Sequence, residues 1–317
     1  MVKDSSRFTP AAMETFRFQA AGNPVYRRYL ELLGVDPESV TTPDDIPFLP
    51  VEFFRSYRVV TGTGEDVRVF ESSGTTGAAT SRHHLTDESP YLESLGAGFR
   101  HFFGEPSDYC ILALLPSYLE RGNSSLVFMM DQLIRQSGHP LSGFYLDNRE
   151  SLAQNILLLE AAGRKTMLVG VSFALLDLAE QFPMPLKNTL IIETGGMKGR
   201  REELTREELH GILKAAFSVE SIGSEYGMTE LLSQAWSTGE GIYRTPPWMR
   251  VSIRDPYDPF RRMPAGKSGG IDVIDLANRN SCSFIQTQDL GRLHADGSFE
   301  VLGRFDNSEL RGCNLLV

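Results

Sequence analysis

The chain has 317 residues, of which 41% are apolar and 23% charged, and its net charge is −10. This length and composition are those of a globular protein that buries its own core without disulfide bonds. The acidic balance argues against generic nucleic-acid binding, which needs a basic face for the phosphate backbone. Residues 1–10 lack an apolar signal-peptide core, and no apolar run reaches the ~18–20 residues of a membrane span, so we expect neither feature.

Helical spacing of apolar residues marks the first part of the chain, residues 9–33, with a break at Gly22-Asn23-Pro24. A proline-rich link follows at 41–50. Beyond it, helices alternate with short apolar strands, which is typical of an α/β fold with a largely parallel sheet. Helices are predicted over 87–103, 124–136, 151–162, 172–182 and 205–217, and strands over 111–115, 167–169, 189–192 and 219–222.

The pattern changes from residue 241 onward, where short β-like runs are separated by Pro, Gly and Asn turns. These runs predict a β-rich subdomain, with strands over 250–254, 270–275, 284–287 and 299–302. The sequence therefore divides into one large domain over 1–302 and a C-terminal tail over 303–317. Within the large domain we expect a helical segment (1–60), an α/β part (61–240) and the β-rich subdomain (241–302).

A glycine- and hydroxyl-rich stretch, residues 71–77, precedes Arg82. Its two glycines allow a tight bend that exposes backbone N–H groups, and its four hydroxyls add side-chain donors. Such a loop is suited to a phosphate chain, although ordinary surface turns share this composition. His83 and His84 follow it without metal-ligand spacing, so each is expected either to contact a ligand or to be solvated or hydrogen-bonded. The candidate phosphate-binding residues are Ser73, Gly74, Thr75, Thr76 and Gly77.

A second polar stretch follows the strand predicted over 219–222. Gly227 allows a sharp bend, the Tyr226 ring is suited to stack on a purine, and the Thr229 hydroxyl can contact a phosphate. The Glu230 carboxylate is the hard oxygen ligand that Mg²⁺ prefers. The alternative interpretation is a polar turn that leads into a helix.

Two further stretches carry charged candidates. Asp289 lies just past the strand predicted over 284–287, where ligands gather in open α/β sheets, and its carboxylate can accept both ribose hydroxyls. An aspartate near a glycine is also common as a simple turn residue. Near the C-terminus, Arg304 offers a planar cationic donor within a segment that is otherwise a polar tail.

In this order and at these separations, the four stretches resemble the motifs of the adenylate-forming superfamily, which includes acyl- and aryl-CoA ligases and firefly luciferase. The matches are residues 73–77 for the phosphate loop, 226–230 for the adenine- and magnesium-binding segment, Asp289 for the ribose-binding aspartate and Gly303-Arg304-x-Asp306 for the hinge. The resemblance implies an α/β fold with largely parallel sheets flanked by helices and a β-rich C-terminal subdomain, as in the large N-terminal domain of these enzymes.

Two features distinguish this sequence from the full-length ligases. Those enzymes continue past the hinge into a small mobile domain with a catalytic lysine, and residues 307–317 contain no lysine, so we expect most of that domain to be missing. A cysteine, Cys313, lies among the final residues. Both features, together with the segments 46–54 and 194–198, resemble the acyl-protein synthetase family, whose best-known member serves the fatty acid reductase complex of luminous bacteria. This resemblance covers nearly the whole chain.

The resemblance implies a reaction that uses ATP and Mg²⁺ in two steps. A carboxylic acid, expected to be a fatty acid, is first activated as its acyl-adenylate, with Thr229 at the α-phosphate, Glu230 as the Mg²⁺ ligand and Arg304 at the ribose or a phosphate. A thiolate, assigned by resemblance to Cys313, then accepts the acyl group. The alternative for Cys313 is an idle or buried thiol, since free cysteines usually pack as small apolar residues.

Three functions remain open on the sequence alone: an acyl-protein synthetase, a compact ligase that passes the acyl group to coenzyme A or a carrier protein, and a non-catalytic nucleotide-binding subunit. A reductase or acyl-transferase partner is expected for the first. Cys110 and Cys282 are expected in the core. The three cysteines have neither disulfide nor zinc spacing, which is typical of reduced thiols in a cytoplasmic protein.

Overall fold

The structure, a computed structural model, describes residues 5–72, 80–115, 122–195 and 204–305. The chain divides into two compact units, one formed by Met1–Glu65 and Pro247–Val317, the other by Asp66–Pro246. The sequence-based division at residues 60, 240 and 302 stays a prediction. No helix in the described ranges has the length and apolar character that crossing a membrane requires.

Regular structure follows the predicted alternation closely in the described part of the chain. Its α-helices are α1 (Phe8–Gly22), α2 (Pro24–Leu33), α3 (Phe53–Ser56), α4 (Ser89–Phe103), α5 (Ser125–Ser137), α6 (Arg149–Ala161), α7 (Ser172–Gln181) and α8 (Arg206–Phe217). Its strands are β1 (Leu49–Pro50), β2 (Arg68–Glu71), β3 (Arg82–Leu85), β4 (Cys110–Leu114), β5 (Gly143–Phe144), β6 (Thr166–Val171), β7 (Thr189–Thr194), β8 (Gly223–Tyr226), β9 (Ala235–Ser237), β10 (Ile242–Tyr243), β11 (Met249–Arg254), β12 (Ser268–Asp275), β13 (Phe284–Leu293) and β14 (Phe299–Arg304).

The unit Asp66–Pro246 is built on a sheet in the order β5-β4-β6-β7-β8-β9. Strands β4 to β8 are parallel, and β9 pairs antiparallel with β8. Every residue of β4 and β6 is buried, as expected for strands that helices cover on both faces. Helix α5 packs against β4, and α7 packs against β6 and β7. The predicted α/β class is confirmed.

The start of α8 shows how local sequence defines an element. The Thr205 hydroxyl accepts a hydrogen bond from the Glu208 backbone N–H, and the Glu208 carboxylate accepts one from the Thr205 N–H. The Thr-x-x-Glu spacing is typical of this reciprocal capping box, which satisfies two backbone donors that would otherwise lack partners.

Two predicted strand boundaries are wrong. Residues 219–222 are not a strand; β8 starts at Gly223, which pairs with Ile192. After α8 the chain turns at Ser218, whose φ is 52°, and residues 219–222 lead from this turn to β8. Strand β13 does not end at residue 287 but continues to Leu293, because it pairs with β12 and β14 over its length. Asp289 therefore lies inside a strand rather than beyond one.

In the other unit, β14, β13, β12 and β11 form an antiparallel sheet in this order, and β1 joins β13 in parallel. Helices α1 and α2 pack against it through aromatic side chains. The ring centroids of Phe16, Tyr26 and Phe48 lie 5.9, 6.2 and 6.2 Å from that of Phe284. These contacts join the two ends of the unit's sequence in one core.

Asn23 is the polar counterpart of this core and is fully buried. Its Oδ1 accepts from the backbone N–H groups of Val25 and Tyr26 at 3.1 and 3.0 Å, which caps α2. Its Nδ2 donates to the Ser281 carbonyl at 2.9 Å. One side chain thus starts a helix and ties it to the β-rich segment.

We predict that Asn23→Ala lowers the free energy of unfolding by about 2–3 kcal/mol, because it removes a helix cap and a buried hydrogen bond together. Asp36→Ala is the matched control: its carboxylate accepts from the Glu38 N–H, but at the exposed start of a single 3₁₀ turn. The control is expected to cost less than about 1 kcal/mol. Urea unfolding of both variants measures the difference, and equal losses would contradict the dual role of Asn23.

Candidate active site

The predicted phosphate loop connects the two strands of a β-hairpin, β2 and β3. Glu71 pairs with Arg82 at the end of the hairpin. Beyond this pair, the Ser72 N–H donates to the Ser81 carbonyl at 3.0 Å, and the Ser81 N–H donates to Ser72 Oγ at 2.9 Å. The flanks of the loop are therefore fastened to each other. The candidate residues themselves, Ser73, Gly74, Thr75, Thr76 and Gly77, lie outside the described residues.

His83 connects this hairpin to the second predicted motif. It is fully buried on β3, and its Nδ1 lies 2.9 Å from the Thr229 carbonyl oxygen. Because a carbonyl only accepts, Nδ1 carries the proton in this contact. The hydrogen-bonded role left open for His83 is confirmed. The contact places Thr229 and the adjoining Glu230 beside the strand that leaves the phosphate loop.

The second motif lies at the carboxyl end of β8. Tyr226 is buried, and its ring meets the Tyr243 ring edge-on with centroids 6.0 Å apart. A Cβ on Gly227 would lie 2.3 Å from Glu225 Oε1, so the backbone at this point accommodates only glycine without a shift of that carboxylate. Glu230 is 5% exposed, within the turn that follows.

Buried polar side chains, which the motif analysis did not identify, join the carboxyl ends of β6, β7 and β8. Ser172 Oγ donates to the Gly195 carbonyl at 2.7 Å and lies 3.3 Å from Glu193 Oε2. Thr194 Oγ1 donates to Glu225 Oε2 at 2.6 Å. The signal in the sequence was a glutamate near the end of each of two apolar strands. Burying a carboxylate costs free energy unless the group is paired or hydrogen-bonded.

Glu225 has the most perturbed carboxyl group of this cluster. Part of its side chain reaches the surface, but its carboxyl oxygens face Thr194 and the Gly227 backbone. Burial raises the pKa of Glu225 to about 7; the Thr194 hydrogen bond opposes the rise, and the Glu193 carboxylate adds to it. Arg206 Nε and His210 Nε2 lie 3.9 and 3.8 Å from Glu193 Oε1, so these basic side chains stand on the Glu193 side of the cluster.

The Glu230 carboxylate is compatible with a magnesium ion that a nucleotide would bring with it. No group of three potential metal-ligating side chains exists among the residues the structure describes. Mg²⁺ is commonly held by one or two carboxylates together with substrate phosphates and water, rather than by an all-protein cage. A single buried carboxylate, joined through Thr229 and His83 to the strand that leaves the predicted phosphate loop, matches this pattern.

The third and fourth motifs lie in the other unit and are neighbours there. Asp289 on β13 pairs with Arg304 on β14, and Arg304 Nε donates to Asp289 Oδ1 at 3.2 Å. Asp289 is 8% exposed, whereas the Arg304 side chain is mostly exposed. The Asp289 N–H donates to Thr287 Oγ1 at 3.1 Å, so the carboxylate is held from its own backbone as well. The carboxylate and the guanidinium therefore form one small polar site.

The described cysteines are core residues, as predicted. Cys110 and Cys282 are fully buried and free. Burial raises the pKa of the Cys282 thiol to about 12 and also raises that of Cys110. Both are therefore protonated at neutral pH and unsuited to act as thiolates. The proposed acyl acceptor, Cys313, lies outside the described residues.

Several solved structures share the fold of this chain. The chain superposes on 2-hydroxyisobutyryl-CoA ligase, solved with 2-HIB-AMP and CoA, with a TM-score of 0.65, 13% identity, and coverage of 94% of this chain and 69% of that one. It superposes on ATP-bound MatB from Rhodopseudomonas palustris with a TM-score of 0.57, 18% identity, and coverage of 76% and 49%. The fold is that of the adenylate-forming enzymes. The chain spans about half the length of MatB.

The resemblance inferred from the motifs is also confirmed by sequence comparison. Over 331 aligned residues the chain is 22% identical to the long-chain-fatty-acid–luciferin-component ligase of Aliivibrio fischeri. The alignment covers 95% of this chain and 85% of that protein. No protein-family model matches the sequence.

The raised pKa of Glu225 generates a prediction on stability. The folded chain keeps this proton up to about pH 7, whereas the unfolded chain releases it near pH 4.5. Between these values the unfolded state binds fewer protons, so the free energy of unfolding falls as the pH rises. Glu225→Gln, which is neutral at every pH, should gain roughly 1–3 kcal/mol relative to wild type between pH 5 and pH 8.

The matched control is Glu160→Gln. The Glu160 carboxylate accepts from Thr189, Lys187 and Asn188, and these hydrogen bonds together outweigh burial and lower its pKa. Its contribution is present above the unfolded pKa, so the cost of Glu160→Gln should stay constant from pH 5 to pH 8. Urea unfolding at both pH values tests this; a pH-independent effect of Glu225→Gln would show that Glu225 is ionised in the folded chain.

Proposed function

We propose that this chain activates a carboxylic acid, in first place a fatty acid, as its acyl-adenylate and then transfers the acyl group to a protein cysteine thiol. The observation that carries the proposal is the His83–Thr229 hydrogen bond, which places Thr229 and Glu230 beside the hairpin of the phosphate loop. The fold supports it, because solved relatives hold ATP or an acyl-adenylate. The printed name of the Aliivibrio fischeri relative supports a long-chain fatty acid.

In the first step, a carboxylate oxygen of the acid attacks the α-phosphorus of ATP. The bond from that phosphorus to the bridging oxygen breaks, and pyrophosphate leaves. Such a step depends on positioning and on neutralising charge. We assign the β- and γ-phosphates to residues 73–77, the α-phosphate to Thr229 and the purine face to Tyr226, next to Gly227 at the end of β8.

The ribose and the metal have their own groups in this proposal. Asp289 accepts the ribose hydroxyls, and Arg304 donates to the ribose or a phosphate. Glu230 would hold Mg²⁺, which supplies charge neutralisation at the phosphate oxygens when it is bound. Burial raises the pKa of Glu225, next to Gly227, to about 7, so near neutral pH this group carries less negative charge toward the anionic nucleotide than an ordinary glutamate would.

In the second step, a thiolate attacks the activated carbonyl carbon, the carbon–oxygen bond to AMP breaks, and a thioester forms. We assign this thiolate to Cys313, because burial keeps the thiols of Cys110 and Cys282 protonated. A thioester on a protein is an intermediate, so a reductase or acyl-transferase partner would consume it. We place this chemistry in the cytoplasm, where thiols remain reduced.

A second candidate is a ligase that passes the acyl group to coenzyme A or a carrier protein. The specific observation in its favour is the fold shared with 2-hydroxyisobutyryl-CoA ligase, which was solved with CoA. Both candidates share the first step. Incubation with ATP, Mg²⁺ and a panel of labelled acids, followed by intact-protein mass measurement, separates a protein-bound acyl group from one released on coenzyme A.

We predict that Glu230→Gln slows carboxylate-dependent pyrophosphate exchange on the order of 100-fold and raises the Mg²⁺ concentration needed for half-maximal rate. The change keeps the size of the side chain and removes its charge. Glu220→Gln, on the exposed approach to β8, is the control and should leave both quantities unchanged. An unaltered Mg²⁺ dependence in Glu230→Gln would remove Glu230 from the metal site.

We predict that Cys313→Ser retains pyrophosphate exchange but loses the hydroxylamine-labile acyl group on the chain, because an oxygen ester resists hydroxylamine under mild conditions. Cys110→Ala, which removes a buried thiol, is the control and should keep the label. Intact-protein mass before and after hydroxylamine measures the outcome. A labile acyl group that persists on Cys313→Ser refutes the assignment.

A further inference from the structure

A buried charged cluster in the unit formed by Met1–Glu65 and Pro247–Val317 is not used by any motif. Asp272 on β12 is 1% exposed and Arg254 on β11 is 6% exposed. Arg254 Nη1 lies 2.7 Å from Asp272 Oδ1, and Arg262 Nη1 contacts Asp272 Oδ2. One buried carboxylate therefore has two guanidinium partners. Because Arg262 already compensates Asp272, charge balance alone does not explain why Arg254 is buried.

The remaining donors of Arg254 extend to the strand that carries Asp289. Its Nη1 donates to the Ile271 carbonyl at 2.9 Å, and its Nη2 donates to the Thr287 carbonyl at 2.6 Å. A Cβ on Gly270 would lie 2.3 Å from the guanidinium carbon, so glycine at this position makes room for the arginine. The planar guanidinium of Arg254 thus bridges β12 and β13.

These contacts lead directly to the proposed ribose-binding carboxylate. Thr287 Oγ1 donates to the Ile271 carbonyl at 2.8 Å and accepts from the Asp289 N–H at 3.1 Å. The Arg254 guanidinium also lies over the Phe305 ring, 5.3 Å from its centroid. Phe305 follows Arg304, whose Nε donates to Asp289. Arg254 therefore supports Asp289 from its own strand and from the end of β14.

Arg262 provides the internal comparison. It shares the Asp272 carboxylate, but its other contacts go to the Ile46 carbonyl at 3.4 Å and the Phe48 ring at 4.5 Å. Those groups precede β1, away from residues 287–305 in the sequence. Removing either arginine leaves Asp272 with one cationic partner, so the two removals are matched in charge and differ in what they release.

We propose that Arg254 is a positioning residue that holds Asp289 and the Arg304–Phe305 strand end in the geometry that binds the ribose hydroxyls of a nucleotide. This inference rests on the proposed function. It assigns to the buried Asp272–Arg254 cluster a role in ribose recognition, in addition to any role in the stability of the sheet.

The test measures equilibrium binding of AMP and 2′-deoxy-AMP by calorimetry, which does not depend on catalysis. Wild type should bind AMP on the order of 10-fold more tightly, since one hydrogen bond to a charged group is lost in the deoxy analogue. Asp289→Asn and Arg254→Met should each bring this ratio close to one. Arg262→Met should keep the wild-type ratio. Arg254→Lys retains the charge without the fork and should give an intermediate ratio.

The double variant Arg254→Met/Asp289→Asn distinguishes positioning from general destabilisation. If Arg254 acts through Asp289, the double variant should bind AMP no more weakly than Asp289→Asn alone. Losses that add, or equal loss of discrimination in Arg254→Met and Arg262→Met, would overturn the inference. If Arg254→Met does not fold, Arg254→Lys takes its place in the comparison with Arg262→Met. A wild-type ratio of AMP to 2′-deoxy-AMP affinity in Arg254→Lys would then overturn the inference.

Failure of the proposed function would look different. It would show as wild-type AMP binding with sugar discrimination but no carboxylate-dependent pyrophosphate exchange. Wild type that exchanges pyrophosphate but does not discriminate between the two nucleotides would leave the proposed function in place and overturn the role of Arg254.

Discussion

The hydrogen bond from His83 to the Thr229 carbonyl is the contact on which the candidate site in the unit Asp66–Pro246 depends. It joins two segments that are 146 residues apart, the hairpin of the phosphate loop and the turn that carries Glu230. The imidazole is fully buried, and Thr229 is partly buried. A buried polar group left without its hydrogen bond costs more free energy than an exposed one.

Around this contact, the parallel sheet brings three strand ends to one edge and closes them with polar side chains. The bonds from Ser172 to Gly195 and from Thr194 to Glu225 span neighbouring strands. Such networks rigidify a site when every member is satisfied. The raised pKa of Glu225 adds to this, because two fully ionised carboxylates side by side would repel each other.

The other unit uses the same principle with the opposite charge. Arg254 is buried and donates hydrogen bonds to Asp272 and to one backbone carbonyl on each of β12 and β13. These contacts hold β12 and β13 together next to Asp289. In each unit, a buried ionisable side chain packs against the segment that carries a motif residue: Glu225 next to Gly227, and Arg254 next to Asp289. Neither Glu225 nor Arg254 belongs to one of the matched motifs.

The sequence by itself determined whatever depends on near neighbours in the chain. The helices, the buried parallel strands, the Thr205–Glu208 capping box and the motif glycines follow from apolar spacing and backbone preference within a few residues. The adenylate-forming fold could be predicted because its motifs are short and ordered. The roles of residues 73–77 and of Cys313 stay predictions, as does the assembly of all four motifs on one nucleotide.

Only the tertiary structure decided the features that depend on pairing between distant strands. Asp289 lies within β13 because β12 and β14 pair on either side of it, with a register shift at Leu290–Gly291 that no local pattern reveals. The same holds for Glu225 and Arg254, whose importance comes from partners 31 and 33 residues away. A charge in a strand reads as a surface residue until the fold shows that it is buried, and burial is what converts it into a support for the site.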